Sequence, residues 1–193
     1  MKKSTIIVLV IIAVVAIWGI TGYNGLVKAD EAVSTAWSNV ENQYQRRADL
    51  IPNLVNTVKG YAAHEKETLD AVVAARARAT QVTVDAESMT PEMLQEYQKS
   101  QSEVGAALGR LLAVAEAYPD LKANTNFLEL QAQLEGTENR ITVARKDFNT
   151  AVQSYNTSVR VFPANIIAMM FGFEQKPYYE ADQSAATAPK VEF

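Results

Sequence analysis

The chain has 193 residues, enough for one anchored domain with a modest core and too few for two comfortable ones. Only 8 glycines and 6 prolines occur, and Ala, Val, Leu, Glu and Gln dominate the middle, a composition that points to an all-α fold. A net charge of −4 without a local basic stripe excludes the electrostatic footprint of a nucleic-acid binder, and the lack of cysteine excludes a disulfide framework, a thiol nucleophile and a thiolate metal site.

The first predicted element is a membrane anchor. No charged residue occurs from Ser4 to Val27, and residues 6–20 (IIVLVIIAVVAIWGI) are almost purely aliphatic. About 20 helical residues cross a hydrocarbon core of about 30 Å, so lipid contact is expected over residues 4–24, with Trp18 and Tyr23 placed for an aromatic belt. A cleaved signal peptide is the competing reading. Its nearest cleavage pattern, Val27-Lys28-Ala29, lies well beyond the apolar run, which favours an uncleaved anchor. Lys2 and Lys3 flank one side, whereas Lys28 on the other is offset by Asp30 and Glu31. That bias puts the N-terminus in the cytoplasm and the bulk of the chain outside. Ala13, Ala16, Gly19, Gly22 and Gly25 recur every third residue, a spacing that spirals round a helix instead of lining a dimer seam.

Helical spacing then runs through Val33, Trp37, Val40, Tyr44, Arg47, Ile51, Leu54, Val58 and Tyr61. The seam keeps its register across Pro52. This predicts one helix kinked there, the alternative being a turn with Pro52 as the first residue of a new helix. Leu69, Val72 and Val73 resume the seam before it fades through residues 74–81. Thr90 and Pro91 are an N-cap and first helical residue for a helix carrying Leu94, Tyr97, Val104, Leu108, Leu111, Ala115 and Tyr118, which stops at Pro119. Asn124 or Thr125 starts the last long helix, with Phe127, Leu134, Ile141, Phe148, Tyr155 and Phe162 spaced by sevens and Val152 and Val159 extending its face. The expected architecture is all-α. An N-terminal transmembrane helix (1–27, with its short stub) precedes an antiparallel four-helix-type bundle (28–180) and a disordered tail (181–193).

Residues 161–173 (VFPANIIAMMFGF) are apolar throughout but too short to span a bilayer, with Pro163 starting a short helix. Core capping is the expected role; lying on the membrane or contacting a partner are the alternatives. In either alternative the contact patch would be Phe162, Ile166, Ile167, Met169, Met170, Phe171 and Phe173.

His64 is the one histidine, and it points about 100° away from Glu65 on a helix, so neither a di-iron site nor a Ser-His-Asp arrangement can be assembled. No metal, cofactor or catalytic residue is expected. The charges on the seams are more informative. Arg47 shares a heptad position with Val33, Val40 and Leu54; Glu138 and Arg145 share one with Val152 and Val159. Buried charge is costly unless paired, so these three are expected to form a polar network, joined by Arg46, Glu65 or Arg140. Such a network fixes helix register or serves as a partner site.

YNGLV (23–27), AWSNVENQYQRRADLIPNLVNTVKGYAAHE (36–65), ENRI (138–141), ARKDFN (144–149) and YNTSVRVFPANIIA (155–168) occur in an order that resembles the LemA family, from the anchor to about Tyr179. The resemblance implies a bacterial membrane-anchored four-helix bundle with no established catalytic activity. The reading that follows is a non-enzymatic interaction or scaffold protein of the cytoplasmic membrane, binding other envelope proteins or copies of itself. A sensory bundle acting through a membrane partner is the first alternative; an enzyme with an all-carboxylate metal site is the second.

Overall fold

The computed structural model describes residues 3–180. The expected tail over 181–193 and the first two residues lie outside the described residues. Among those described there are six helices and no strand, in agreement with the all-α expectation.

Helix α1 (Lys3–Lys59) is continuous for 57 residues, about 85 Å at 1.5 Å per residue. Its first part, Ile6 to Ile17, is exposed on every face. Among the described residues it is the one helix long and apolar enough to cross a membrane. Without a break it becomes the spine of the bundle, burying Leu26, Val33, Trp37, Val40, Tyr44, Arg47, Ile51, Leu54 and Val58. Pro52 lies inside α1, and the helix continues past it to Lys59, so the chain does not turn there. Tyr61 leaves the predicted seam because the helix ends before it; Ala62 is buried instead and Tyr61 is exposed.

Helix α2 (Lys66–Ala79) folds back on α1 and packs against α3 (Pro91–Ala115). Helix α3 starts as predicted: Pro91 occupies the first turn and the Thr90 hydroxyl accepts from Met93 N. A single turn, α4 (Pro119–Lys122), leads to α5 (Thr125–Arg160), whose N-cap Asn124 accepts from Phe127 N. Helix α5 runs antiparallel to α1, burying Phe127, Leu134, Ile141, Phe148 and Tyr155. Phe162 does not continue that row. Helix α5 ends at Arg160, the chain turns through 161–163, and Phe162 is left 80% exposed.

Helix α6 (Ala164–Phe171) ends in a left-handed cap at Gly172 (φ 74°), a conformation that favours glycine. Its part in the core is small. Only Ile167 and Ala168 are buried, against Leu26 at the junction of anchor and bundle, whereas Ile166, Met169, Met170 and Phe171 are exposed. The following segment, residues 173–180, has no regular structure and runs back along α5 as a strap.

The bundle interior is two apolar clusters, not one. Trp37, Tyr97, Ile141, Phe148 and Tyr155 belong to the cluster nearer the anchor; Ile51, Leu54, Val72, Leu111 and Phe127 belong to the far one. Between them sits a layer of buried polar side chains that includes Arg47, Gln101 and Thr137.

Candidate functional site

Arg47 projects from α1 into that layer because its heptad position is a core position, and it is only 3% exposed. A guanidinium there needs partners for its donors. Nη1 donates to Glu138 Oε1 on α5 at 2.8 Å; Nη2 donates to the backbone carbonyl of Gln101 on α3 at 2.8 Å and to its side-chain oxygen at 2.9 Å. Three helices are thus joined through one side chain. Glu138 is 48% exposed, so the ion pair is buried at one end and hydrated at the other.

The layer extends through aromatic rings. Arg47 lies over the Tyr44 ring at 4.9 Å, and the Tyr97 ring meets Tyr44 edge-on at 5.5 Å. The Tyr44 hydroxyl accepts from Arg145 Nε at 2.8 Å and lies 2.6 Å from the Tyr179 hydroxyl on the strap. Arg145 in turn stacks over Tyr179 at 4.6 Å. Burial pushes the phenols of Tyr97 and Tyr179 well up, and proximity to Tyr44 adds to it, so both stay neutral at physiological pH. Glu41, on the same stretch of α1, is also raised, by burial first.

Of the other residues expected in this network, none is in it. Arg46 is exposed, beside Asn42, Asp49 and Gln133 in a shallow surface depression; one residue along a helix turns it about 100° from Arg47. Arg140 is exposed next to Gly136. Glu65 is at the far end of the bundle, where it accepts from the Tyr118 hydroxyl at 3.0 Å. His64 is exposed in the turn before α2. Among the described residues no group of three or more His, Cys, Asp or Glu is placed to hold a metal ion.

Several contributors escaped the sequence reading. Pro52 has no N–H, so the carbonyl of Ala48, four residues earlier, lacks its helical donor. Arg76 reaches across from α2 and donates Nε to that carbonyl at 2.8 Å. The strap is held by two asparagines seven apart on α5. Asn156 accepts from Lys176 N and donates to its carbonyl, and Asn149 does the same for Tyr179, at 2.8 to 2.9 Å throughout. Lys176 Nζ also pairs with Asp30 at 2.6 Å and donates to the Ala86 carbonyl at 2.8 Å. The orphaned carbonyl at Ala48 was a signal available from Pro52 alone.

A cleft of about 180 Å³ opens between α1, α2, α3 and residues 80–83, lined by Glu41, Arg47, Arg76, Tyr97 and Gln101 among others. It has room for a few waters or a very small polar molecule.

The model of the LemA family matches residues 36–193. The chain is similar to magnetosome protein MamQ 2 of Paramagnetospirillum magneticum strain AMB-1, 27% identical over 182 residues that cover 86% of this chain and 67% of the relative. It is 26% identical to magnetosome protein MamQ of Magnetospirillum gryphiswaldense over the same shares of both chains. Similarity to protein LemA of Metamycoplasma hominis is 22% over 160 residues, covering 83% and 69%.

Proposed function

This chain belongs to the LemA family, and from that premise we propose that it is a non-enzymatic, membrane-anchored interaction protein of the bacterial cell envelope. Its anchor lies in the cytoplasmic membrane, its N-terminus faces the cytoplasm, and its bundle stands on the other side to bind envelope proteins or further copies of itself. The observation that carries this reading is α1. One uninterrupted helix holds both the apolar span and the buried seam of the bundle, so the bundle is held at a fixed attitude to the membrane without a flexible linker. The buried polar groups support it too: Arg47, Tyr44, Arg145 and Tyr179 bond to one another and to neighbouring helices, as groups that set register do.

Photo-crosslinking residues at Val73 and Leu128, two exposed apolar positions on the bundle, test the reading in intact cells. Discrete crosslinked species are expected; recovery of uncrosslinked monomer alone counts against an interaction protein. Protease added to sealed cells should digest the bundle, and protection until lysis would reverse the orientation.

The cleft beside Arg47 favours a second reading, a ligand-binding bundle that signals through a membrane partner. A dose-dependent rise in melting temperature with one small polar compound would support it.

A further inference from the structure

Helix α6 is attached at one particular height on α1. Ile167 and Ala168 pack on Leu26, with Trp18 completing the contact, and Tyr23 meets the rings of Phe171 and Phe173 at 4.8 and 5.7 Å. The tip of the Ile167 side chain lies over Gly22, in the space a Cβ there would take. A span of about 20 residues counted from Ser4 ends at Tyr23. The docking site of α6 is therefore the last turn of the membrane-crossing segment, where hydrocarbon gives way to headgroups.

The surface that α6 turns outward suits that level and no aqueous one. No charged residue occurs from Val161 to Phe173, and Met169 and Met170 are 83% and 72% exposed, with Phe162, Ile166 and Phe171 beside them. With eight residues, about 12 Å, the helix is too short to cross a bilayer. It docks beside Trp18, Gly22 and Tyr23, just after the stretch Ile6 to Ile17 that is exposed on every face and whose surroundings are lipid in the anchored protein. We infer that α6 is a second lipid-contacting element, an interfacial helix whose Phe162, Ile166, Met169, Met170 and Phe171 enter the outer acyl-headgroup boundary of the same bilayer that α1 crosses. One spanning helix leaves tilt and depth loosely set; a second contact beside it, at the end of α5, fixes both.

The absence of cysteine makes the test direct. Single nitroxide labels are placed on the full chain by Met169→Cys or Met170→Cys, with Val10→Cys in the span and Val143→Cys on the exposed face of α5 as references. The protein is held in nanodiscs of phosphatidylethanolamine and phosphatidylglycerol. Power saturation then compares collision with oxygen, which partitions into lipid, and with a water-soluble nickel chelate. Labels at 169 and 170 should resemble the Val10 label, with nickel accessibility several-fold below that at 143. Nickel accessibility at 169 and 170 equal to that at 143, while the label at 10 stays shielded, overturns the inference and leaves the anchor standing. Shielding from both reagents, with dipolar broadening that disappears on dilution with unlabelled chain, overturns it as well, because a second copy then covers the face.

Discussion

Replacing Arg76 with alanine should destabilise the bundle, and most of that loss should disappear when Pro52 is also alanine. The reason is local. Proline removes the N–H that would reach the Ala48 carbonyl, and its ring crowds the same oxygen. Arg76 Nε, 2.8 Å away, takes the place of the missing donor. A hydrogen bond to a charged group contributes about 1.5–3 kcal/mol, and because Arg76 is only half-buried, water competes, so about 1–2 kcal/mol is expected for Arg76→Ala. In Pro52→Ala the N–H of residue 52 returns to the Ala48 carbonyl, and Arg76→Ala in that background should cost about 0.5 kcal/mol or less. Pro52 is exposed, so its replacement loses no packing; Pro52→Ala alone should stabilise by about 1–3 kcal/mol, up to the full difference in helix preference between the two residues. The coupling in the double-mutant cycle is then about 1 kcal/mol.

The assay is urea unfolding of the full chain in detergent micelles, in a Trp18→Phe background so that Trp37 is the one tryptophan reporting. Trp37 suits the purpose: it is buried against Tyr97 and Phe148 and donates Nε1 to the Val84 carbonyl at 2.9 Å. If Arg76→Ala costs the same in both backgrounds, within the roughly 0.5 kcal/mol expected of independent sites, Arg76 is not compensating for the proline and the reasoning fails.

The two ends of the Arg47 ion pair should respond unequally to the same unfolding measurement. Arg47→Ala should lose about 2–4 kcal/mol through its buried bonds to Gln101 and the space it vacates, whereas Glu138→Gln, at the hydrated end, should lose less than about 1 kcal/mol. Asn149→Ala combined with Asn156→Ala should release the strap without loss of helical circular dichroism, seen as faster chymotrypsin cleavage after Tyr178 and Tyr179. Burial, helped by Asp30 and Glu174, pushes the Tyr155 phenol up to about 12, so the unfolded chain releases that proton first, near pH 10. Stability should be unaffected by this group below pH 10 and fall between pH 10 and 12, with a smaller fall in Tyr155→Phe; equal alkaline profiles by circular dichroism would refute the assignment.

Seams were legible in the sequence wherever the backbone stayed helical. Val33 to Val58 and Phe127 to Tyr155 are buried in the predicted order because helical spacing alone decides which side chains share a face. Periodicity is blind to where a helix stops, which is why Tyr61 and Phe162 fit the pattern and yet lie outside the core. Arg47 could be placed because its Cα sits on a seam. Glu138 shares its own seam with Val152, but a long charged side chain carries its head towards water, and that depends on the neighbouring helix. The strap had no comparable trace. An extended segment held by two asparagine side chains has neither period nor apolar run, and only the seven-residue spacing of Asn149 and Asn156 hints that α5 presents a polar ladder.

The polar layer has a consequence for where the bundle sits. Two antiparallel helices with heptad-spaced apolar residues can pack nearly as well after sliding by one heptad, about 10 Å, because every seven-residue step offers a similar hole. The layer removes that freedom. In the observed register Arg47 faces Glu138 and Tyr44 faces Arg145. A heptad slip would set the Arg47 guanidinium opposite Gln131 or Arg145 in place of Glu138, so the buried charge would lose its carboxylate and, in one direction, meet a like charge. Since α1 is also the apolar span and α6 follows directly after α5, that register sets the height at which α6 meets α1. A slip of about 10 Å would move Ile167 off Gly22, lifting the exposed methionines of α6 into water or driving the C-terminal end of α5 towards hydrocarbon. The buried arginine thus acts on the membrane end of the protein from the middle of the bundle, through helix register alone.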